Sequence, residues 1–281
     1  MIMKALQKWI TIAALGLCFE AAQAGLRVIP PSDLPCVFAG SNRPVPVTWE
    51  NDGSTLATAE ISMRLMQTSS ATTTTIGQWP WKHLELQPGQ TILEHAVLDF
   101  PEVTAETCFL IRWMEGTNRI FGTTEVRVCP TNLLSELRTL AGEKEGPGLL
   151  DPSSILKPLL KSTGVDFVDL ENGGIQNSHG RLVIAGPFTD KVQMHALHER
   201  IETIARKGSA VVWLQPPPEP RDMFKPSFYT VLVGTNAVVV AQTSLVASLA
   251  TNPQAQLNLL QLCRVALNPE PLRLPQFTAQ P

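Results

Sequence analysis

Arg181-Leu182-Val183-Ile184-Ala185-Gly186 and, further on, Ala210-Val211-Val212-Trp213-Leu214-Gln215 decide how the second half of this chain folds. Each core run is short and continuously apolar, the pattern of a strand buried on both faces of a parallel sheet. Between them Met194, Leu197, Ile201, Ile204 and Ala205 recur at helical spacing, and Gly208 stands where glycine ends a helix. Strand, helix, strand in this order predicts a parallel sheet with right-handed crossovers. Enzymes built this way carry a nucleophile or a phosphate-binding loop just past a strand end. Here the strand ends carry Gly186-Pro187-Phe188 and Gln215-Pro216-Pro217-Pro218, which neither attack nor cradle a phosphate.

Working outward, Thr131 to Leu140 carries Leu133, Leu134, Leu137 and Leu140 on one stripe and predicts a helix. Residues 131–148 form a helix and linker. The loop from Gly142 to Gly148 is glycine-rich, but it lacks the Gly-Lys-Ser/Thr ending of a phosphate loop and carries two glutamates that repel phosphate. Leu149-Leu150-Asp151 and Val165 to Leu170 are further strands. Ser153 is expected to cap a helix bearing Ile155, Leu159 and Leu160, and Asp190 the helix with the Met194 stripe. Tyr229–Val233 and Ala237–Gln242 form a hairpin across Gly234-Thr235-Asn236. Asn252-Pro253, a cap followed by proline at the first helical position, starts a last helix that buries Leu257, Leu260, Cys263 and Leu267. The α/β domain spans 149–268, and 269–281 is a tail.

Leu182-Val183-Ile184-Ala185-Gly186-Pro187, then a helix, then Gly208-Ser209-Ala210-Val211-Val212-Trp213-Leu214 resembles the class I glutamine-amidotransferase-like fold, over Leu149–Leu267. Such a domain is flavodoxin-like, with a mostly parallel sheet. Secreted bacterial proteins and some β-galactosidases carry it without activity. Active members place a cysteine at the sharp turn after the strand that follows such a helix. This chain has Gln215-Pro216-Pro217 there, and no His-x-Glu pair downstream. The resemblance therefore implies a fold and argues against the activity.

Residues 25–130 read as a different domain. Val45, Val47 and Trp49 alternate, Asn51-Asp52-Gly53 marks a tight turn, and Ala59, Ile61, Met63 and Leu65 alternate again. Thr72–Thr75 is β-branched, Ile92 to Phe100 is a strand closed by Pro101, and Cys108–Met114 with Ile120–Val128 forms a hairpin. About seven short strands with regular turns predict an antiparallel β-sandwich of the immunoglobulin- or fibronectin-like kind.

The first 24 residues predict a signal peptide: Lys4 and Lys8, an apolar run from Trp9 to Phe19, and Ala22-Gln23-Ala24 before Gly25. The expected location is secreted or periplasmic. No later stretch approaches the length of an apolar membrane span. Without Lys4, Lys8 and Glu20 the chain carries 20 basic and 24 acidic residues, a net charge of −4. That balance, with no basic cluster, argues against nucleic acid as a partner. Cys36, Cys108, Cys129 and Cys263 remain; spacing does not give their pairing, at most one bridge is expected among the first three, and Cys263 reads as a buried thiol.

Trp79-Pro80-Trp81 is the leading binding motif, because flat aromatic faces stack on sugar rings and peptides; the competing role, and the weightier, is sandwich core, as for Trp49 and Trp113. Gly186, Phe188, Gln215 and Tyr229 are candidates for lining the crevice beyond the strand carboxyl ends, where sheets of this kind bind ligands. His195, His198, Glu199 and Glu202 share a helix at i,i+4 spacing, but no third ligand motif accompanies them, and no metal or cofactor is expected. The sequence thus reads as a non-catalytic binding or assembly protein with a glycan or a secreted protein as partner, in the manner of an accessory to carbohydrate-active enzymes. Two readings stand beside it: a glycosidase-like hydrolase using Asp151, Asp166, Asp169 or Glu171, and a structural subunit of an envelope complex that packs through the proline-rich 216–226 loop.

Overall fold

The computed structural model describes residues 25–69, 71–142, 146–171, 180–187, 191–215, 228–242 and 245–269, with the backbone alone at 191–196 and 242. The chain divides into two compact units, Met1–Cys129 and Pro130–Pro281.

The first unit holds β1 (Leu26–Ile29), β2 (Cys36–Phe38), β3 (Gly40–Asn51), β4 (Ala57–Thr68), β5 (Thr73–Leu86), β6 (Thr91–Phe100), β7 (Thr107–Glu115) and β8 (Arg119–Cys129). They form a three-stranded sheet, β1-β3-β6, and a five-stranded sheet, β2-β8-β7-β4-β5. All pairings are antiparallel except β2 with β8. Alternation in the sequence sets the faces: Val45, Val47 and Trp49 from one sheet meet Ile61, Met63, Leu65, Ile111 and Trp113 from the other in one core. Asn51-Asp52-Gly53 is a turn, but it joins strands of different sheets. The Asn51 amide, fully buried, donates to the Leu86 and Thr55 carbonyls, and its side-chain oxygen accepts from the Gly53 N–H.

The second unit begins with a 3₁₀ turn (Leu133–Ser135) and α1 (Glu136–Ala141), which divide the helix expected from Thr131 to Leu140. Then come β9 (Gly148–Leu150), α2 (Leu156–Ser162), β10 (Val168–Asp169), β11 (Leu182–Ala185), α3 (Lys191–Arg206), β12 (Ala210–Gln215), β13 (Phe228–Val233), β14 (Asn236–Gln242), α4 (Leu245–Ser248) and α5 (Pro253–Leu267). The sheet order is β10-β9-β11-β12-β14-β13, parallel throughout except for β13. The five parallel strands thus run second, first, third, fourth, fifth, a doubly wound order.

Alternate residues of the buried strands serve two cores. Leu149, Leu182, Ile184, Val212, Leu214 and Val239 pack with Leu156, Leu160, Leu259, Leu260 and Cys263 on one face. Leu150, Val183, Ala185, Val211, Trp213, Val238 and Val240 pack with Leu197, Ile201, Ile204 and Ala205 of α3 on the other. Asn252 caps α5, its side-chain oxygen accepting from the Gln254 N–H, and Pro253 follows at the first helical position. No helix among the described residues is long and apolar enough to cross a membrane.

Candidate functional site

The β9–β11 switch point is where a doubly wound sheet opens a crevice. Asp151 follows β9 there and is fully buried. Its carboxylate accepts from the N–H groups of Leu156 at 2.7 Å, Lys157 at 2.9 Å and Ile155 at 3.1 Å. Those are orphan donors of the first turn of α2, so Asp151, and not Ser153, caps this helix. The Ser153 hydroxyl instead donates to the Pro187 carbonyl at 2.9 Å. Lys157 Nζ lies 3.0 Å from Asp169 and 3.1 Å from Glu171, and Glu171 also accepts the Asp151 N–H at 2.7 Å. Burial works against the Lys157 ammonium, but its two carboxylates outweigh that and raise its pKa. The Glu171 N–H and then Lys157 hold the Asp169 carboxyl below its usual range. Asp151, Asp169 and Glu171 are thus engaged in capping and ion pairing. Asp166, on the other side of Val168, pairs with Arg138 at 3.3 Å.

Of the residues expected to line this crevice, Gly186 and Gln215 stand at the ends of the adjacent parallel strands β11 and β12, and Tyr229 does not join them. Gly186 is buried at the end of β11, and its peptide bond to Pro187 is cis. Gln215 is buried at the end of β12, opposite Gln242 of β14. Tyr229 belongs elsewhere: it pairs with Val240, which pairs with Trp213, so it sits two strands from β12. Phe188 and Asp190 lie outside the described residues, as do 216–227, which join β12 to β13.

Tyr229 does line a groove. Trp213, Val240 and Tyr229 form one row across β12, β14 and β13; Val211, Val238 and Val231 form the next. Over these rows α3 packs on β12 and β14, and among the described residues Tyr229 and Val231 of β13 stay exposed. Between the helix and β13 lies a groove of about 340 Å³, with His198, Glu202 and Arg206 on its helical wall. Trp213 is buried to 6% exposure, and its indole N–H, also buried, has no acceptor among the described residues. A donor left so costs about 1–3 kcal/mol. The His198 ring packs against it with centroids 5.8 Å apart. Arg206 pairs with Glu202 at 2.6 Å and holds that carboxyl below its ordinary range.

The outer flank of the groove is β13, the edge strand among the described residues. Phe228 is 52% and Leu232 61% exposed on one face, with Tyr229 and Val231 exposed on the other. Phe228–Val233 contains no charge and no proline, the residues that ordinarily blunt a sheet edge. Sequence reasoning named Tyr229 and weighed His198 and Glu202 only as metal ligands, and it missed Trp213. The legible signal was a tryptophan in an otherwise aliphatic buried strand.

In the sandwich, Trp79-Pro80-Trp81 lies inside β5. Its two tryptophans part. Ile61 pairs with Lys82 and Ser62 with Pro80, so Trp81 is the extra residue of a β-bulge. The bulge turns it inward, onto Trp49 and Trp113. Trp79 is 40% exposed and lies against Gly77, where any Cβ would collide with its indole. No cluster of three or more metal-ligating side chains occurs among the described residues.

No family model matches the sequence, and no curated protein matches it. Among solved structures the chain has likenesses to the alkylpurine DNA glycosylase AlkC of Pseudomonas fluorescens (12% identity, 45% of this chain and 36% of that one, TM-score 0.28). It is similarly placed against the sporulation control protein Spo0M of Bacillus subtilis (13%, 42% and 56%, 0.29) and a mutant β-glucosidase of Listeria innocua (16%, 37% and 15%, 0.25). The chain spans 36% of the glycosylase, 15% of the β-glucosidase and 56% of Spo0M. Likenesses at this level carry no argument about function.

Proposed function

We infer that this is an exported, non-catalytic binding and assembly protein, an immunoglobulin- or fibronectin-like sandwich followed by an amidotransferase-like α/β domain without its nucleophile. Its partner, on this reading, is a protein that supplies an extended segment to β13. The observation that carries the reading is that edge strand, six residues long, apolar on both faces and without charge or proline. An added strand would satisfy the outward main-chain groups of β13. Alternate side chains would enter the groove, where a polar one meets the Trp213 N–H, without an acceptor among the described residues, and the Glu202–Arg206 rim. Against the hydrolase reading stand the engaged carboxylates of Asp151, Asp169 and Glu171.

The test is a library of short random peptides panned against the protein, with affinities of the enriched peptides measured by fluorescence anisotropy. Peptides with apolar residues at alternate positions are expected. Val231→Lys and Leu232→Lys, both at exposed positions, should weaken them by about tenfold or more, equivalent to about 1.4 kcal/mol. Enrichment of no such peptide, or affinities that ignore both substitutions, would overturn the reading.

Trp79 favours a second reading, a glycan platform on the sandwich, since its indole is exposed and rests on a residue without a side chain. Binding on an oligosaccharide array that disappears with Trp79→Ala and survives Leu232→Lys would select it over strand addition.

A further inference from the structure

We propose that Cys36 and Cys129 are a redox-active pair that closes the sandwich with a disulfide by exchange with an external disulfide donor. Their sulfurs stand 3.7 Å apart on adjacent strands. Cys36 pairs with Arg127 and Phe38 with Cys129, so the two cysteines sit diagonally on one face of the β2–β8 pair. A disulfide needs about 2.05 Å between sulfurs. The contraction falls on β2, an edge strand of three residues bonded only to β8 among the described strands. Cys36 is half-buried and Cys129 wholly buried.

Geometry favours this pairing over the others within the first unit. Cys108 pairs with Arg127 on β7, across β8 from β2, which puts it two strand spacings from Cys36. That is roughly 10 Å between backbones, beyond the reach of a disulfide. Its thiol lies 3.0 Å from Glu125, which flanks Arg127 on the side away from Cys129. Cys263 belongs to the second unit and is buried on α5.

The difference in access sets the order of steps. Cys36, deprotonated, attacks one sulfur of a disulfide donor, releasing one thiolate and forming a mixed disulfide. The Cys129 thiol gives up its proton and attacks the Cys36 sulfur, releasing the second thiolate. Two protein thiols are oxidised, the donor is reduced to two thiols, and nothing else is consumed. The hydrogen bond from Cys129, and less strongly the Arg127 guanidinium, hold the Cys36 thiol below its ordinary range; the same bond, with burial, pushes Cys129 up. The product would tie the strand next to the N-terminal β1 to the last residue of β8, where the second unit begins. It is independent of the strand-addition reading.

The experiment treats the reduced protein with oxidised glutathione, alkylates it without reductant and maps the peptides. The expected product is a Cys36–Cys129 cross-linked peptide lighter by two hydrogen atoms, with Cys108 alkylated and the melting temperature raised. Cys129→Ser should accumulate glutathione on Cys36, and Cys36→Ser should leave Cys129 unmodified. A bridge from Cys36 to Cys108, or Cys36 still alkylated after oxidation, would overturn the assignment. The mapping uses the unaltered protein, so a variant that fails to fold leaves the test intact.

Discussion

Trp81 stacks on Trp49 with ring centroids 6.0 Å apart and planes 19° from parallel, and a β-bulge brings it there. Phe121 is placed the same way. Trp113 pairs with Gly122 and Met114 with Ile120, so Phe121 is the bulged residue of β8, its centroid 5.8 Å from Trp49. Two irregularities in the five-stranded sheet thus aim two aromatic rings at one tryptophan of the other sheet. Trp81→Ala is expected to cost about 3 kcal/mol of unfolding free energy, the range for removing a packed aromatic ring. Trp79→Ala, one turn of the pleat away and exposed, should cost less than about 1 kcal/mol. Equal losses in urea titrations of the two variants would contradict this division.

That division marks where the sequence was legible and where it was not. Alternation in Val45–Trp49 and Ala59–Leu65 announced strands with one buried face, and the apolar runs Leu182–Ala185 and Ala210–Leu214 announced strands buried on both. Neither signal carries the bulge at Trp81, because a one-residue slip is decided by the partner strand and not by the residue itself. The crevice was legible only in part for a similar reason. Gly186 follows β11, Gln215 ends the neighbouring β12 and Tyr229 stands near the start of β13, but β13 runs antiparallel beyond β14, and strand order is set by long-range pairing. That order moves Tyr229 two strands from β12, into the row of Val240 and Trp213. Ser153 and Asp151 are equally good caps by residue type, and Ser153 is nearer the helix in sequence; Asp151 displaces it because its carboxylate reaches three amides from the end of β9.

Asp151→Ala should destabilise the α/β unit by about 2–3 kcal/mol, since the N–H groups of Ile155, just before α2, and of Leu156 and Lys157, its first two residues, lose their acceptor, and Leu156 is buried and Lys157 half-buried. Asp151→Asn, keeping one acceptor oxygen, should cost less. Hydrogen exchange at the Leu156 and Lys157 amides reports the loss locally. Unchanged protection there would show that the carboxylate does not hold the helix.

Asp169 gives the α/β unit a pH dependence of known sign. Its carboxyl is depressed in the folded chain by the Glu171 N–H and by Lys157. A depressed carboxylate contributes stability that is present above its unfolded pKa, about 3.9, and is lost as pH falls through the lower folded value. The side chain is partly exposed, so the contribution is screened. Asp169→Asn should therefore lower the melting temperature at neutral pH and match the parent in acid below both values. A difference that persists unchanged into acid would assign the effect to packing instead of charge.

Cys263 should be chemically silent in the folded protein. It is fully buried on α5, and burial pushes its thiol up to about 12, far above the pH at which alkylating reagents find a thiolate. Cys108, part-exposed but raised by burial and by Glu125, should react slowly at neutral pH and faster as pH rises. Iodoacetamide labelling of the reduced protein with peptide mapping should give Cys36 first and Cys108 more slowly in the native state, and Cys263 only after denaturant. Early labelling of Cys263 would mean that α5 detaches from the sheet.

Gly146 sits in the loop whose glycines first suggest a phosphate cradle, but its backbone serves a closer neighbour. Its φ is +72°, and a Cβ there would collide with the main-chain carbonyl of Asp166. Gly142 also has a positive φ, +98°, with open space around it. Gly142→Ala then carries only the conformational penalty, about 1 kcal/mol, whereas Gly146→Ala adds a clash against rigid backbone and should exceed that by about 2 kcal/mol or more. Because Asp166 lies between Val165, a core residue, and β10, the larger loss should appear as weakened exchange protection at Val168 and Leu170, whose N–H groups bond to Pro147 and Leu149. If Gly142→Ala and Gly146→Ala proved equally mild, the close approach of these two backbone segments would not exist in solution.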